Sequence, residues 1–389
     1  MNELSRILTM RIPRTVIGMD ASAQIGSIGK ELKAKKALII TDRGVFKAGL
    51  TQKAAESLQK EGIGFEVFDE CGESAPISEM VKCSRVIKDH QINLVIGIGG
   101  GSVLDFTKLT VALADHDSNV EVLFNPALIN KKITSSILVP TTAGTGSEMN
   151  TGALCTNDET HRKVIVRSEF IGANTAILDP MLTLRLPPSI TAETGMDALS
   201  HAIEALTSAK ANIVADVFAE KSIRLVSQNI RKAYSDGSHN PEARYNMMLG
   251  ASFGILGAAS ASTYIVHTLS YPLGMMTHTS HGKACVLMLP YAMEFNMSAN
   301  LERFARIAEL MDEPVQGLNL ENKAAKAVQA VRRLISDMGM PQKLSDIGLK
   351  KQDVPAVVDY VFQYYAYQLE NNPRRIERVD LQRLLETAL

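Results

Sequence analysis

The strongest chemical signal in the sequence is a pair of metal-ligating side chains, Asp197 and His201, four residues apart. On a helix this spacing places both side chains on one face, one turn apart. Their neighbours in residues 195–205 (GMDALSHAIEA) are mostly apolar, which predicts that the helix is buried. A buried carboxylate beside a buried imidazole needs a partner, and a divalent cation would satisfy both.

A second concentration of possible ligands follows in apolar surroundings. Three of the eight histidines of the chain lie between residues 267 and 281, namely His267, His278 and His281. A lone histidine is more often a satisfied core or surface residue, but two dense clusters in one chain favour a metal site. One carboxylate with two or three imidazoles suits Fe(II), Zn(II), Mn(II) or cobalt. The absence of thiolate ligands argues against a structural zinc site, and an open coordination position would polarise a substrate oxygen.

Two loops rich in glycine and hydroxyl groups follow apolar runs in the first half of the chain. The loop at residues 97–105 (GIGGGSVLD) precedes a helix predicted from about Ser102, whose free N–H groups would point at a pyrophosphate. Ser102 replaces the third glycine of GxGxxG, and a tight turn is the alternative interpretation. The loop at residues 140–147 (PTTAGTGS) has a flexible surface loop as its alternative. Both are predicted to bind a nucleotide, because open α/β sheets bind ligands at strand ends.

Asp42 ends the apolar run at residues 36–41. A carboxylate there could accept hydrogen bonds from a ribose 2′-hydroxyl and would repel a 2′-phosphate, which favours NAD over NADP. A helix N-cap is the alternative interpretation of this residue.

The pattern of apolar residues predicts two domains. Up to residue 180, continuous apolar runs alternate with helical stretches, which is typical of a parallel sheet covered on both faces. The runs lie at residues 36–41, 65–68, 93–98, 137–139 and 176–178. Beyond residue 180 helical periodicity dominates, most clearly at residues 321–338. We therefore predict a Rossmann-like α/β dinucleotide-binding domain at residues 1–180 and an all-helical metal-binding domain at residues 181–389.

Composition excludes several classes of function. The 389 residues carry a formal net charge of -1, so the chain has no electrostatic footprint for nucleic acid or for an anionic membrane. No stretch approaches the roughly 18 apolar residues of a membrane span, and the N-terminus lacks the apolar core of a secretory signal. The four cysteines form no CxxC pair and are predicted to be reduced thiols in a cytoplasmic protein.

These motifs, in this order, resemble the iron-containing (group III) alcohol dehydrogenases over nearly the whole chain. The resemblance rests on residues 99–105 (GGGSVLD), 140–148 (PTTAGTGSE), 179–180 (DP), 195–205 (GMDALSHAIEA) and 267–282 (HTLSYPLGMMTHTSHG). It implies a metal-dependent, NAD(P)-linked enzyme that interconverts a small alcohol and its aldehyde by hydride transfer. It also implies a homo-oligomer, a dimer or larger.

The resemblance assigns site residues by matching position. It implies as metal ligands Asp197, His201, His267 and His281. It implies as cofactor contacts Asp42, Gly99, Gly100, Gly101, Ser102, Asp105, Thr141, Thr142, Thr145 and Lys163.

The chain departs from the family pattern at two places. Many members carry a proton-relaying histidine four residues after the third ligand, where this chain has Tyr271, and His278 stands three residues before His281. Tyr271 and His278 are therefore the predicted proton relay, and the combination resembles a branch associated with 4-hydroxybutyrate and related hydroxyacids. Residues 74–76 (SAP) replace the usual Asn-Pro-Thr, which predicts a changed contact on the adenosine side.

Four alternatives share these features. A zinc-dependent polyol dehydrogenase of the glycerol type has the same architecture, and a hydroxyacid dehydrogenase fits the same motifs. A metal-independent reductase on this scaffold and a non-catalytic nucleotide-binding protein are both disfavoured by the complete set of ligands. The sequence leaves open the substrate, the physiological direction and the choice between iron and zinc.

Overall fold

A computed structural model of the protein describes residues 8–72 and 75–389. The chain divides into two compact units, a first of Arg11–Leu186 and a second of Pro187–Leu389 together with residues 8–10, and the predicted boundary was near residue 180. Ser74, part of the predicted change on the adenosine side, lies outside the described residues, as do residues 1–7.

The first unit is built on a six-stranded parallel sheet, which confirms the predicted α/β class. The spatial order of the strands is β1-β8-β5-β4-β2-β3, and β6 and β7 form a separate antiparallel pair. The strands are β1 (Arg14–Ile17), β2 (Lys36–Ile40), β3 (Gly64–Phe68), β4 (Leu94–Gly99), β5 (Ser135–Pro140), β6 (Gly152–Thr156), β7 (Lys163–Arg167) and β8 (Thr175–Leu178). The helices are α1 (Ile25–Glu31), α2 (Arg43–Lys47), α3 (Gln52–Lys60), α4 (Ile77–Asp89), α5 (Gly101–Asp115) and α6 (Glu121–Phe124).

Helices cover both faces of this sheet, as strand β2 illustrates. Ala37 and Ile39 belong to the same apolar cluster as the side chains of α1 and α3, whereas Leu38 and Ile40 belong to the cluster formed with α4 and α5. Successive side chains of a strand alternate between faces, so a strand buried on both faces is a continuous apolar run. This is the physical reason why β2 was recognisable in the sequence.

The second unit is helical, as predicted, and its longest helices pack against one another. Its helices are α7 (Pro188–Thr207), α8 (Ile213–Asp236), α9 (Pro241–Ala261), α10 (Ile265–Thr277), α11 (His281–Met297), α12 (Leu301–Leu310), α13 (Leu320–Asp337), α14 (Val354–Tyr364), α15 (Ala366–Leu369) and α16 (Arg378–Thr387). Within residues 8–72 and 75–389, no single helix is long and apolar enough to span a membrane. Helices α9 and α10, which are bent by 108° relative to each other, reach that length and apolar composition only when they are taken together.

Candidate metal centre and cofactor loops

Helix α7 carries three buried polar side chains on one face. Asp197, His201 and Glu204 are 2%, 6% and 1% exposed, and the residues between them are buried and apolar apart from Ser200. The spacings of four and three residues align them along the helix. Asp197 and His201 were predicted from the sequence, and Glu204 was not, although the same spacing rule includes it.

The remaining predicted ligands come from two consecutive helices. His267 lies in the first turn of α10, and His281 is the first residue of α11. The start of α11 lies close to α7, because a Cβ atom on Gly282 would lie 2.7 Å from the carbonyl oxygen of Glu193. Only glycine permits this approach without a backbone shift, so Gly282 helps to bring His281 towards Asp197.

The structure brings all four predicted ligands together around Asp197. Its Oδ1 lies 3.6 Å from Nε2 of His267 and 3.7 Å from Nε2 of His281, and its Oδ2 lies 3.9 Å from Nδ1 of His201. The rings of His201 and His267 are 4.3 Å apart between centroids. These separations are too long for hydrogen bonds.

Three atoms of this cluster are buried without a hydrogen-bond partner among the described residues. They are Oδ1 of Asp197, Nδ1 of His201 and Nε2 of His267. Buried polar atoms are nearly always paired, so three unpaired polar atoms within one small cluster need an explanation. A divalent cation supplies one, because carboxylate oxygen and imidazole nitrogen are among its usual ligands. The residues therefore fit a metal ion.

Glu204 fixes the orientation of His267. Its Oε2 lies 2.5 Å from Nδ1 of His267, and its Oε1 accepts a hydrogen bond of 2.8 Å from the backbone N–H of Val266. Because a carboxylate only accepts, Nδ1 of His267 carries a proton towards Glu204, which leaves Nε2 as the atom that can bind a cation. Metal-ligating histidines are commonly oriented in this way.

The electrostatics of the cluster separate the pKa values of its members. Burial lowers the pKa of His201 to about 3, despite the opposing charge of Asp197. Burial also acts to lower the pKa of His267, but the charges of Glu204 and Asp197 outweigh it and raise that pKa to about 9. For Asp197, burial acts to raise the pKa, and the surrounding histidines reverse this and hold it well below its usual range. A cation in this position would replace the His267 proton.

Cys285 was not nominated from the sequence, yet it belongs to the cluster. Ligand atoms of Asp197, His267, His281 and Cys285 all lie within 4.8 Å of one another, a group that does not include His201. The Cys285 sulfur lies 3.7 Å from Nε2 of His281, whose Nδ1 is 3.0 Å from the Ser270 hydroxyl. Burial holds the pKa of the Cys285 thiol well above its usual range.

The two predicted relay residues differ in their position. Tyr271 is half-buried and stacks on the ring of His281, with 5.9 Å between centroids. His278 is exposed at the end of α10 in the left-handed backbone region, with φ at 55°. No hydrogen bond or ion pair joins His278 to the ligand cluster in the described part of the chain.

We expect Glu204→Gln to weaken metal binding about 10- to 100-fold, which is the usual effect of losing a partner of a metal-binding histidine. Glutamine retains the shape and an acceptor for Val266, but it removes the charge that orients His267. Metal affinity would be measured by competition with a chelator. Glu220→Gln is the matched control, because Glu220 is a half-buried residue of α8 that pairs with the exposed Arg306 of α12. Unchanged affinity in Glu204→Gln would contradict the orienting role.

The predicted cofactor loops follow neighbouring strands of the first unit. Strands β2, β4 and β5 are adjacent and parallel, so Asp42, Gly99 and Thr141 lie at or just after strand ends at one edge of the sheet. The two loops also contact each other, because the backbone N–H of Thr141 donates to the Gly99 carbonyl over 2.9 Å. A Cβ atom on Gly101 would lie 2.6 Å from Thr145, so a side chain there would displace the second loop.

Asp105 lies beneath these loops rather than at their surface. It is 9% exposed and accepts hydrogen bonds from the Ser147 hydroxyl over 2.5 Å and from the Leu154 backbone N–H over 2.9 Å. It also pairs with the buried Lys108 at 3.2 Å, and Lys108 donates to the Ser147 carbonyl over 2.9 Å. This network ties helix α5 to the end of the hydroxyl-rich loop.

Asp42 and Lys163 each have a structural partner as well. Asp42 caps helix α2 by accepting a hydrogen bond of 2.9 Å from Val45, so the alternative interpretation as an N-cap is correct for one of its oxygens. Lys163 begins β7 and donates to the Thr156 hydroxyl over 3.0 Å. Burial lowers the pKa of Lys163 to about 8, with part of the effect offset by the charge of Asp105.

A ligand cluster suited to a catalytic cation and loops suited to a dinucleotide are the two requirements of a metal-dependent dehydrogenase. Comparison with known proteins gives the same class. The sequence model of the family described as iron-containing alcohol dehydrogenase matches residues 13–180. A second family model, for the C-terminal part of the Fe-containing alcohol dehydrogenases, matches residues 191–389. The chain therefore belongs to the iron-containing alcohol dehydrogenase family, as the sequence motifs indicated.

Curated relatives and solved structures agree over the full length. The sulfoacetaldehyde reductase of Bilophila wadsworthia (strain 3_1_6) is 33% identical over 377 residues, which cover 96% of this chain and 97% of the relative. The crystal structure of a 1,3-propanediol oxidoreductase has a TM-score of 0.94 at 32% identity and covers 99% of this chain and 100% of its own. A sulfoacetaldehyde reductase from Bifidobacterium kashiwanohense, solved in complex with NAD+, has a TM-score of 0.86 at 25% identity and covers 99% of each chain. The protein is accordingly an oxidoreductase that interconverts alcohols and aldehydes.

Proposed function

We propose that the protein is a metal-dependent, NAD-linked reductase of small aldehydes and dehydrogenase of the corresponding alcohols. Its metal would be held by Asp197, His201, His267 and His281, with Fe(II) as the first candidate and Zn(II) or Mn(II) accepted by the same donors. The observation that carries this proposal is the convergence of three buried, unpaired ligand atoms on Asp197, His201 and His267. When bound, the cation would polarise the substrate oxygen, and NADH would supply the hydride.

The pairing with NAD is supported by Asp42 and by the relative solved with NAD+. One Asp42 oxygen caps α2, and we assign the other to a ribose hydroxyl, where a carboxylate would repel the 2′-phosphate of NADP. The remaining proposed cofactor contacts are Gly99, Gly100, Gly101, Ser102, Thr141, Thr142, Thr145 and Lys163. Asp105 would act on the cofactor indirectly, by holding Ser147.

Reconstitution of the metal-free protein under anaerobic conditions tests this function. Fe(II), Zn(II) or Mn(II) would be added separately, and oxidation of NADH and NADPH would be followed with short aldehydes and ω-oxo acids. We expect metal-dependent turnover with NADH in preference to NADPH. A folded protein that binds NADH but remains inactive with every metal and aldehyde would refute the proposal. Preference for a polyol or an ω-oxo acid would instead select one of the narrower alternatives.

The affinity for NADH is expected to fall as the pH rises through about 8. Lys163 is a cation below its pKa of about 8 and increasingly neutral above it, so its attraction to the cofactor phosphates is present at pH 7 and should be weakened by up to about tenfold in affinity at pH 9. A hydrogen bond to a charged group contributes about 1.5–3 kcal/mol, or about 10- to 100-fold in affinity. Lys163→Met should bind NADH weakly at both pH values in a fluorescence titration. Lys88→Met, at an exposed position, is the control; an identical pH profile in Lys163→Met and the unmodified protein would rule out the contact.

We propose His278 and Tyr271 as the groups that move the substrate proton to solvent. His278→Gln is expected to lower turnover by about tenfold or more and to flatten its pH dependence, because positioned acids and bases typically contribute about 10²- to 10⁴-fold. Tyr271→Phe retains the ring beside His281 and removes only the hydroxyl. His239→Gln, which changes an exposed histidine of the same unit, is the control. If metal content and kinetics both stay unchanged in His278→Gln, His278 has no part in proton transfer.

A cytoplasmic location and a homo-oligomeric state complete the proposal. All four cysteines are buried and none forms a disulfide, which supports a reducing compartment. The oligomeric state rests on the family resemblance, and size-exclusion chromatography with light scattering would measure it.

A further inference from the structure

Helix α11 offers a sulfur atom to the ligand cluster one turn after His281. Cys285 is fully buried, and its sulfur lies 3.7 Å from Nε2 of His281. The spacing of four residues places both side chains on one face of the helix, as it does for Asp197 and His201 on α7. The sulfur also lies within 4.8 Å of ligand atoms of Asp197 and His267.

The separations within this group are those expected around a single cation. Ligand atoms bonded to one cation at about 2.0–2.3 Å, with angles of about 90–110° between the bonds, lie about 2.8–3.7 Å apart. Oδ1 of Asp197 is 3.6 Å and 3.7 Å from Nε2 of His267 and of His281, and the Cys285 sulfur is 3.7 Å from the latter. These three distances are therefore compatible with a single metal ion bound between the atoms.

The polar atoms beside the sulfur favour a ligand over an inert buried thiol. Oδ1 of Asp197 and Nε2 of His267 belong to side chains that are 2% and 3% exposed, and neither atom has a hydrogen-bond partner among the described residues. A neutral thiol has a single, weak donor and cannot satisfy both of them. A cation bound between the three groups would satisfy all of them at once.

We propose that Cys285 is a ligand of the catalytic metal, in addition to the aspartate and histidines, and that its sulfur raises the preference of the site for Zn(II) over Fe(II). This inference rests on the proposed function, which supplies the metal. Binding replaces the S–H bond with a sulfur–metal bond, and the proton leaves to solvent. Thiolate sulfur is a soft donor that favours zinc, whereas carboxylate and imidazole donors accept either metal.

Cobalt substitution tests the proposal without reference to catalysis. The metal-free protein would be titrated with Co(II) alone, and its absorption spectrum recorded. We expect d–d bands in the visible region together with a sulfur-to-cobalt charge-transfer band in the near ultraviolet. Cys285→Ser and Cys285→Ala should retain the d–d bands and lose the charge-transfer band. Cys155→Ala is the matched control, because Cys155 is an equally buried thiol of the first unit, and it should retain both.

Metal competition provides the second readout. Relative to the unmodified protein, Cys285→Ser is expected to lose about tenfold or more of its affinity for Zn(II) and to lose less of its affinity for Fe(II). If Co(II) binds to the unmodified protein with d–d bands and no charge-transfer band, Cys285 is not a ligand, while the proposed metal site stands. If Co(II) does not bind at all, both the ligand assignment and the proposed function are wrong. Should Cys285→Ala fail to fold, the spectra of the unmodified protein and of Cys285→Ser decide the question.

Discussion

Asp197→Asn is expected to abolish stable metal binding and to lower kcat/KM by about a thousandfold or more. Asp197 is the only carboxylate among the proposed ligands, and it lies at the centre of the cluster, within 3.6–3.9 Å of three histidines. A bound cation stabilises the developing charge of the transition state by several kcal/mol, and about 4 kcal/mol corresponds to about a thousandfold in rate. Asparagine has nearly the same shape, so the loss would reflect charge and coordination rather than packing.

Metal content and kinetics would be measured on the same preparations of this variant. The matched control is Asp236→Asn, which neutralises an aspartate that also pairs with a histidine. Its Oδ1 lies 3.0 Å from Nδ1 of His239, and both side chains are exposed. It should leave metal content and turnover unchanged. If Asp197→Asn retains a full complement of metal and normal turnover, the cluster is not the catalytic centre. Retained metal with lost turnover would instead show that Asp197 acts on the substrate and is not required as a ligand.

How far the sequence predicts this site depends on the residue type. Asp197 and His201 could be found because an acid and a histidine four residues apart are conspicuous in an apolar helix. Cys285 has the same spacing from His281, but a buried cysteine is also an ordinary apolar residue, and without a CxxC motif nothing in its local pattern distinguishes it. Glu204 shares the helical spacing of Asp197 and His201, but its role as the partner of His267 became recognisable only once the structure placed the two side by side, since 63 residues separate them in the chain.

The fold shows the same division between local and long-range information. Strands β2 and β4 were found because burial on both faces makes them continuously apolar. Strand β1 was missed because it has only four residues, pairs only with β8 in the sheet, and is half-exposed along its length. The β6–β7 pair was missed because buried and partly exposed positions alternate in β6 but not in β7. Strand β7 therefore lacks the sequence pattern of a half-buried strand. A local sequence pattern does not show that β1 pairs with β8 or that β6 pairs with β7.

Asp105 is a further case in which the sequence pointed to the residue but did not indicate which contacts its side chain makes. The resemblance implied a cofactor contact, and the structure shows a buried ion pair with Lys108 that supports the loop carrying Ser147. Burial lowers the pKa of the Lys108 amine, and the charges of Asp105 and Glu148 act in the opposite direction. The side chain of Lys108 is fully enclosed, and it donates to Asn150 over 3.2 Å as well as to the Ser147 carbonyl.

Lys108→Met is therefore expected to destabilise the protein by about 3–5 kcal/mol, the usual cost of removing one partner from a buried ion pair. Methionine fills most of the volume, but it leaves the Asp105 charge without a counter-ion and the Ser147 carbonyl without its donor. The midpoint of urea unfolding, followed by circular dichroism, would measure the loss. Midpoints are the appropriate quantity, because a chain of two units need not unfold in a single step.

Two further variants separate loss of the ion pair from general damage to the core. Lys88→Met removes an exposed lysine that pairs with Asp117 at 2.8 Å, and it should leave the midpoint nearly unchanged, because ion pairs in water contribute little to stability. Asp105→Asn combined with Lys108→Met should be less destabilising than the sum of the two single changes, because the double variant leaves no uncompensated charge. Strict additivity would mean that Asp105 and Lys108 are not coupled. It would then be the hydrogen bonds to Ser147 and Asn150, rather than the ion pair, that hold the loop in place.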